Sequence, residues 1–339
     1  MLVSALCFPA SYDWQADTAF GRVSCTLKLF RGDEEALSIP AGPGTGVSAS
    51  PDGHHIIEGS LYTVYSDASG TVIGREGREL ARWPERELIS GILPADGVLH
   101  SLGYNPSSGI LNYRINGRVA WSGPGEQFGG FGADTYGPSG ALYPDDGAVC
   151  FAYRQLSPDG TVVFVSNGQA EESAALPAGA TVLDAKTING RHAVLYTQKM
   201  KNYIIMDGEP RLVNPLGGFC WTEAGLIEYG SGIAVCGRGK LLAGSDYRWC
   251  AGNGQTLFQM LGRPDFVYQD GDSFVPVDLS SDLFDSNIFL RRSCACLWDG
   301  QLAVALTPRN GSNPFVQYGG KRTEYRICGF LTGVAFRID

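Results

Sequence analysis

Basic side chains are scarce in this chain. Its 339 residues hold 26 lysines and arginines against 35 aspartates and glutamates, a formal net charge of −9 with a pI near 5.0. They form no cluster beyond Arg291-Arg292 and Lys321-Arg322. A phosphate backbone demands a concentrated cationic face, so nucleic acid is not an expected partner. Long apolar runs are missing as well, and no window approaches the roughly 18 apolar residues of a membrane span. No sustained i, i+3, i+4, i+7 apolar stripe occurs, which removes amphipathic helices from the expected architecture. There is no Walker-type phosphate loop and no Gly-x-Ser-x-Gly nucleophile elbow.

The opening segment, MLVSALCFPASYDW, has no basic n-region, and its short apolar run is cut by Asp13. It does not read as a secretory signal. Nine cysteines is an odd number, so at least one thiol is unpaired within the chain. Cys7, Cys25, Cys150, Cys236, Cys250 and Cys328 sit in strand-like runs, where a thiol packs as a small apolar group. The expectation is a reduced chain, synthesised in the cytoplasm without a signal peptide, with association with a virion as one setting.

Glycine is abundant, at 46 residues, and its placement carries the architecture. The stretch from Asp96 to Pro124 reads as turn, strand, turn, strand, turn, strand and proline stop. Asp96-Gly97 and Asn116-Gly117 accept positive φ at both centres of a tight hairpin turn. Between them, Val98–Leu102 and Ile110–Ile115 are partly alternating and rich in strand formers. Copies of this unit fill the chain. One glycine series opens a hydrophobic strand: Gly53, Gly97, Gly147, Gly190, Gly232 and Gly300. A second closes the following hairpin: Gly77, Gly117, Gly168, Gly208, Gly254 and Gly320. The separation between paired members stays between 18 and 24 residues, the mark of an internal repeat.

A seventh, incomplete copy lies at the N-terminus as SALCFPA, RVSCTLKLF, Gly32 and EEALSIP, and a lone C-terminal strand, TGVAFRID, supplies its missing piece. A strand from one chain end that completes a sheet from the other removes an exposed edge. The pattern predicts an all-β fold: a single domain over residues 1–339, a seven-bladed β-propeller of four-stranded antiparallel blades, closed by the C-terminal strand joining the N-terminal blade. Six or eight blades stay open, because the interval from Gly254 to Gly300 is irregular. With Ser50-Pro51-Asp52-Gly53 ahead of a strand, the repeats resemble the propellers built on such turns in the TolB-like and WD40-like groups. Ser157-Pro158-Asp159-Gly160 falls one hairpin later in this register, and Trp298-Asp299 precedes a strand instead of ending one. The resemblance implies an architecture and no particular activity.

Two long excursions follow Gly117 and Gly254, and both read as connections between consecutive blades that emerge on one face. Loops on a rigid scaffold carry function, so these form the candidate binding site. The first, residues 123–140, is glycine-rich with Phe128, Phe131 and Tyr136 interleaved. Such aromatics suit a protein partner or a sugar face, or fold back as a plug. The second, residues 261–297, includes Phe266, Tyr268, Asp270 and Asp272 and has room for an extra strand pair. Its Asp270-Gly-Asp272 spacing lacks the regular oxygen-ligand loop of a calcium site, so no metal and no cofactor are expected.

Catalytic constellations do not emerge. Tyr65 to Thr71 looks like the Asp-box turn of sialidase propellers, but with one residue too many between Asp67 and Gly70. A glycosidase needs two facing carboxylates, and many pairs qualify without one being singled out. Adjacent His54 and His55 point to opposite faces of a strand, while His100 and His192 read as satisfied core histidines. Cys294 and Cys296 make half of a zinc site without its second pair. The functional expectation is a non-catalytic docking or recognition module with protein partners, such as a structural or receptor-recognition component of a virion or phage tail. A carbohydrate-binding or glycoside-hydrolysing propeller is the alternative, and a WD40-like peptide-binding adaptor is a third.

Overall fold

The computed structural model describes residues 1–13, 23–50, 53–126, 142–155, 161–188, 191–206, 208–212, 218–222, 225–229, 232–235, 242–243, 247–250, 257–260, 266–270, 273–277, 288–289, 295–298, 301–308 and 312–336. Among them no helix occurs, and the strands pair with their antiparallel neighbours in short meanders. The first meander is β1 (Leu2–Cys7), β2 (Cys25–Arg31) and β3 (Glu34–Ala41), completed at the edge of β1 by the C-terminal strand Gly329–Ala335. The second is β4 (His54–Ile57), β5 (Ser60–Asp67), β6 (Gly70–Arg75) and β7 (Arg78–Trp83). The third is β8 (Leu88–Ala95), β9 (Val98–Asn105), β10 (Ile110–Ile115) and β11 (Arg118–Glu126). The fourth is β12 (Tyr143–Asp145), β13 (Ala148–Gln155), β14 (Val162–Ser166) and β15 (Gln169–Ala174), linked to the third by pairing of β11 with β13.

The fifth meander is β16 (Thr181–Ile188), β17 (Arg191–Gln198), β18 (Lys201–Met206) and β19 (Glu209–Leu212). The sixth is β20 (Gly218–Thr222), β21 (Gly225–Tyr229), β22 (Gly232–Val235) and β23 (Leu242–Ala243). The seventh is β24 (Tyr247–Cys250), β25 (Leu257–Met260), β26 (Phe266–Asp270) and β27 (Ser273–Val277). The eighth holds β28 (Ile288–Phe289) and β29 (Ala295–Trp298), both on β30 (Gln301–Pro308), then β31 (Phe315–Tyr318) and β32 (Lys321–Glu324). The C-terminal strand is β33 (Gly329–Ala335).

Eight meanders are traced among the described residues where glycine spacing predicts seven. The difference lies at two glycines. Gly232 opens the third strand of the sixth meander, not the second, and Gly254 falls between the first two strands of the seventh. Their regular separation is a coincidence that absorbs one whole unit. Contacts divide the chain into two compact units, one of Met1–Tyr65, Val72–Leu80 and Gly217–Asp339, the other of Ser66–Thr71 and Ala81–Leu216.

The tight turns are as their sequences demand. Glu58-Gly59, Asp96-Gly97 and Asp146-Gly147 join first to second strands with positive φ at both centres, and Glu76-Gly77, Asn116-Gly117 and Asn167-Gly168 join third to fourth strands in the same way. Such mirror-image turns match the right-handed twist of the flanking strands. In the second meander the turn glycine is therefore Gly59, and Gly53 precedes β4. Neighbouring turns are stitched together: the amide of Asn116 donates to Leu99 O at 2.8 Å, while Leu99 N donates to Asn116 Oδ1 at 2.9 Å. Asn167 and Val149 repeat both bonds.

The second strands β1 and β13 are buried on both faces. In β1, Leu2 and Leu6 join a core with Leu27, Leu61 and Phe330, while Val3 and Ala5 join another with Ala303, Val316 and Leu331. In β13, Phe151 and Tyr153 pack with Leu102, Leu111 and Tyr113, whereas Ala152 packs with Phe164, Val182 and Val194. The period-two alternation of a strand thus feeds two cores, one per face. Fourth strands are the reverse: β19 is exposed throughout and β7 is buried only at Ala81 and Trp83.

One charge lies deep between β7 and β10. Glu87 is fully buried, with Oε1 accepting from Arg114 Nη2 and from Asn112 Nδ2, both at 2.7 Å. Arg114 stacks over Trp83 at 4.6 Å and also reaches Gly117 O at 3.2 Å and Glu85 at 3.4 Å. Thr71 Oγ1 accepts from Glu87 N and donates to Glu85 O. Gly103 is obligatory beside this group, because a Cβ there would lie 2.5 Å from Glu87 Oε2. Removing one member of a buried ion pair strands the other charge, at a cost of about 3–5 kcal/mol. Urea titration of Arg114→Met is expected to show a loss of that size, and Glu87→Leu added to it is expected to restore a large part; equal or greater loss in the double variant would show that the pair is not the source.

Candidate functional site

In three meanders the first strand carries a fault at the same register. Opposite β9 the pairing of β8 skips Ser90, between the pairs Gly91–Leu102 and Ile89–Gly103. Opposite β17, β16 skips Leu183, between Asp184–Leu195 and Val182–Tyr196. In both the skip falls after the fifth residue of the second strand. Opposite β1, β33 skips Thr332, between Gly333–Ser4 and Leu331–Ala5. Gly32 N bonds Met1 O as Asn116 N bonds Leu99 O, so this is the same register again. Each skipped residue is a β-bulge, which weakens pairing locally and increases twist. Two bulge hydroxyls bond back across it: Ser90 Oγ to Leu102 O at 3.1 Å and Thr332 Oγ1 to Ser4 Oγ at 2.8 Å.

Two first strands are interrupted at this fault. In the fourth meander the first-strand position is shared: Gly125 and Glu126 of β11 pair with Gln155 and Arg154, and β12 pairs with Ala148 to Cys150. In the eighth, β28 covers Pro308 and Thr307 while β29 covers Gln301 to Val304. Both gaps span the bulge register. The first excursion therefore begins inside the next meander, after Glu126, and not at residue 123 as the spacing suggests. Phe128, Phe131 and Tyr136 lie outside the described residues, as does Asp272. Phe266, Tyr268 and Asp270 stand on β26, in a complete meander of its own. The interval 261–297 thus holds sheet, including the extra strand pair for which the sequence has room.

The remaining candidates are accounted for by packing. Asp67 Oδ1 accepts from Ser69 N at 2.7 Å and Ser69 Oγ at 2.6 Å, so the Asp-box-like segment is a self-bonded turn between β5 and β6. His100 Nδ1 meets Tyr113 Oη at 2.6 Å, and His192 Nδ1 meets Thr187 Oγ1 at 2.8 Å while stacking on Phe164. Burial pushes His100 down and the Tyr113 hydroxyl up to about 12. Cys7, Cys25, Cys150, Cys296 and Cys328 take part in no disulfide. Burial pushes Cys7 and Cys25 up to about 11 and raises Cys296, which suits packing and not nucleophilic chemistry. Cys294 and Ser157 to Gly160 lie outside the described residues, and Cys328 is exposed just before β33. Among the described residues no group of three acidic, histidine or cysteine side chains could hold a metal ion.

One feature escaped sequence reasoning. The hairpin between β17 and β18 turns on Lys199-Met200, at φ 51° and 59°, and Met200 is 94% exposed. Positive φ at two bulky residues is uncommon and costs of order 1 kcal/mol or more each. Tyr196 and Tyr203 stack at 5.3 Å beneath it, Thr197 Oγ1 donates to Lys201 O at 3.3 Å, and Gln198 Nε2 donates to Ala178 O at 2.9 Å. With no glycine, asparagine or aspartate in the turn, the sequence carries no signal for it.

No family profile matches the chain, and no curated protein does either. Solved structures similar to it include AztD from Citrobacter koseri, at 10% identity over 98% of this chain and 97% of that one, with a TM-score of 0.50. The β-propeller domain of the Trilobed protease from Pyrococcus furiosus is similar at 9% identity, over 78% of this chain and 80% of its own, with a TM-score of 0.39. The WD40 β-propeller domain of Doa1 is similar at 11% identity, over 81% of this chain and 95% of its own, also at 0.39. The last two are β-propeller domains, the architecture with which the repeats were compared, and the chain matches no specific family.

An insertion at the bulge is expected to be tolerated: a flexible loop of about ten residues costs about 2 kcal/mol in closure entropy. Placed after Ser90 it should leave a folded protein by circular dichroism and thermal melting; placed after Leu111, in the core, it should not. A second expectation concerns His54, which is buried, with Nε2 donating to Ser48 O at 2.6 Å and Nδ1 without a partner. Burial pushes it down to about 3, from an ordinary value near 6.5. The unfolded chain takes up this proton as pH falls through about 6.5, and the folded chain does not until about 3. Stability is therefore lost as pH falls across that window, by up to about 1.4 kcal/mol per pH unit. His54→Gln should flatten this slope in urea titrations, and an unchanged slope would assign the acid sensitivity elsewhere.

Proposed function

We propose that this chain is a non-catalytic recognition module, a propeller whose blades are the four-stranded meanders, closed by β33 in the N-terminal blade, that docks protein partners within a larger assembly. The observation that carries the docking reading is the Lys199-Met200 tip. An apolar side chain held almost wholly in water, on a strained turn braced from three sides, gains nothing for the fold. Strain of this kind persists where surrounding structure over-determines it, and such outliers mark contact sites. Lys199 and Lys201 flank the methionine on a chain with a net charge of −9, so the tip suits an acidic partner surface with an apolar notch.

The insertion at the bulge register after Glu126 is the second contact region in this reading, with Phe128, Phe131 and Tyr136 as its aromatic anchors, and the 261–297 interval, which includes the seventh meander's β26, adds Phe266, Tyr268, Asp270 and Asp272. A structural or receptor-recognition role in a virion or phage tail is the setting we propose for such a module, and glycan binding is its competitor.

The test is an affinity pull-down from the native source, with the intact chain, Met200→Asp, and a chain in which residues 127–141 are replaced by a short Gly-Ser bridge. A discrete protein partner in stoichiometric amount is expected, with several-fold weaker capture by either variant at unchanged melting temperature. No protein partner, together with retention on a polysaccharide resin, would overturn the docking reading in favour of the glycan class.

A further inference from the structure

The edge of β1 is a seat for a strand that lies more than 300 residues further along the chain. All seven residues of β33 are buried. Phe330 enters the core that holds Leu2, Leu6 and Leu61, while Leu331 and Val334 enter the core that holds Ala303, Ala305 and Val316. Polar contacts fix its register. Thr332 Oγ1 donates to Ser4 Oγ at 2.8 Å, and Leu331 N donates to Thr307 Oγ1 at 3.0 Å, with all three hydroxyl-bearing residues buried. At the entry a side chain is excluded: a Cβ on Gly329 would lie 1.9 Å from Leu6 O. The seat therefore selects a glycine, then Phe-Leu-Thr, in one alignment.

None of these contacts is local. Ser4 and Thr332 are 328 residues apart, and until residues 329–335 are made β1 offers an unpaired edge between two apolar faces. The link to the rest of the chain is short. Tyr325 is tied by its hydroxyl to Gly32 O at 2.6 Å and by its amide to Pro314 O at 2.8 Å. Only Arg326, Ile327 and Cys328 separate it from β33. A strand on a short tether, facing a seat whose every contact an identical chain can supply, is the arrangement that permits exchange between copies.

We propose that the β1 edge is a strand-acceptor site whose partner is β33 of a second copy of this chain, so that the protein forms a strand-exchanged dimer as well as a monomer. In the dimer each chain's first sheet is completed by the other's C-terminal strand with the same pairs, Val3 to Val334 and Leu6 to Phe330. This inference is independent of the docking reading, which concerns other surfaces.

Full-length chain is refolded from urea at low and at high protein concentration and examined by analytical ultracentrifugation. A dimer is expected only at high concentration, persisting on dilution. Two full-length variants, Val3→Cys and Val334→Cys, are then refolded together in a glutathione redox buffer. Strand exchange links residue 3 of one chain to residue 334 of the other, read by mass spectrometry of the disulfide-linked peptides. Deleting Arg326 and Ile327, which makes the tether too short for insertion within one chain, is expected to shift the population towards dimer. Should that variant fail to fold, the mixed-cysteine linkage decides alone. A chain that is monomeric at every concentration, or a dimer without the 3–334 linkage, would overturn the proposal.

Discussion

A four-stranded sheet that is apolar on both faces cannot stand in water by itself. That constraint governs this protein. Val3 and Ala5 of β1 look into one core while Leu2 and Leu6 look into another, and Phe151 and Ala152 of β13 divide in the same way. Each fully buried side chain of this size contributes about 1.5–3 kcal/mol, but only while a neighbouring sheet covers its face. Meanders are therefore stacked units, stabilised by their neighbours as repeat proteins are. Tight turns with paired positive φ follow from the same demand, because they keep strands short and let each meander present two flat faces.

Against that regularity the sheet is repeatedly imperfect at two registers, one in first strands and one in fourth strands, where Ala36, Ala120 and Glu171 are skipped. A first strand has only one paired edge, so an extra residue there disturbs a single ladder. Ser90, Leu183 and Thr332 are the minimal form of the disturbance, and the gaps opposite Phe151 to Tyr153 and opposite Ala305 and Leu306 are its extended form. Chain can be added at this register without altering the faces that carry the cores. The positions available for function are thus set by the tolerance of the pairing pattern.

Much of the architecture was legible in the residues. Asp96-Gly97, Asn116-Gly117 and the C-terminal TGVAF strand announced their hairpins and their pairing because each depends on local backbone chemistry or on simple alternation. The count of units was not, since Gly232 and Gly254 fall at a plausible spacing while serving different connections, and glycine marks a backbone conformation without saying which strands it joins. The starting point of the first excursion was hidden for a related reason: Gly125 and Glu126 look like loop residues, yet pair with β13 across the fault. Lys199-Met200 was invisible because its strain comes from bracing by Tyr196, Thr197 and Gln198, which no local propensity encodes. Glu87 and Arg114 are far apart in sequence and become partners only through the fold.

The fourth strands lead to a different kind of conclusion. Along β19 every residue faces solvent, and along β7 only Ala81 and Trp83 do not, so these strands are held mainly by backbone bonds, which ask little of the side chains. The inner strands ask only for apolar bulk on both faces. A chain written under such loose terms can vary widely in sequence and keep one shape, so likeness of form at about one residue in ten, as with AztD, asks for no likeness of side chains.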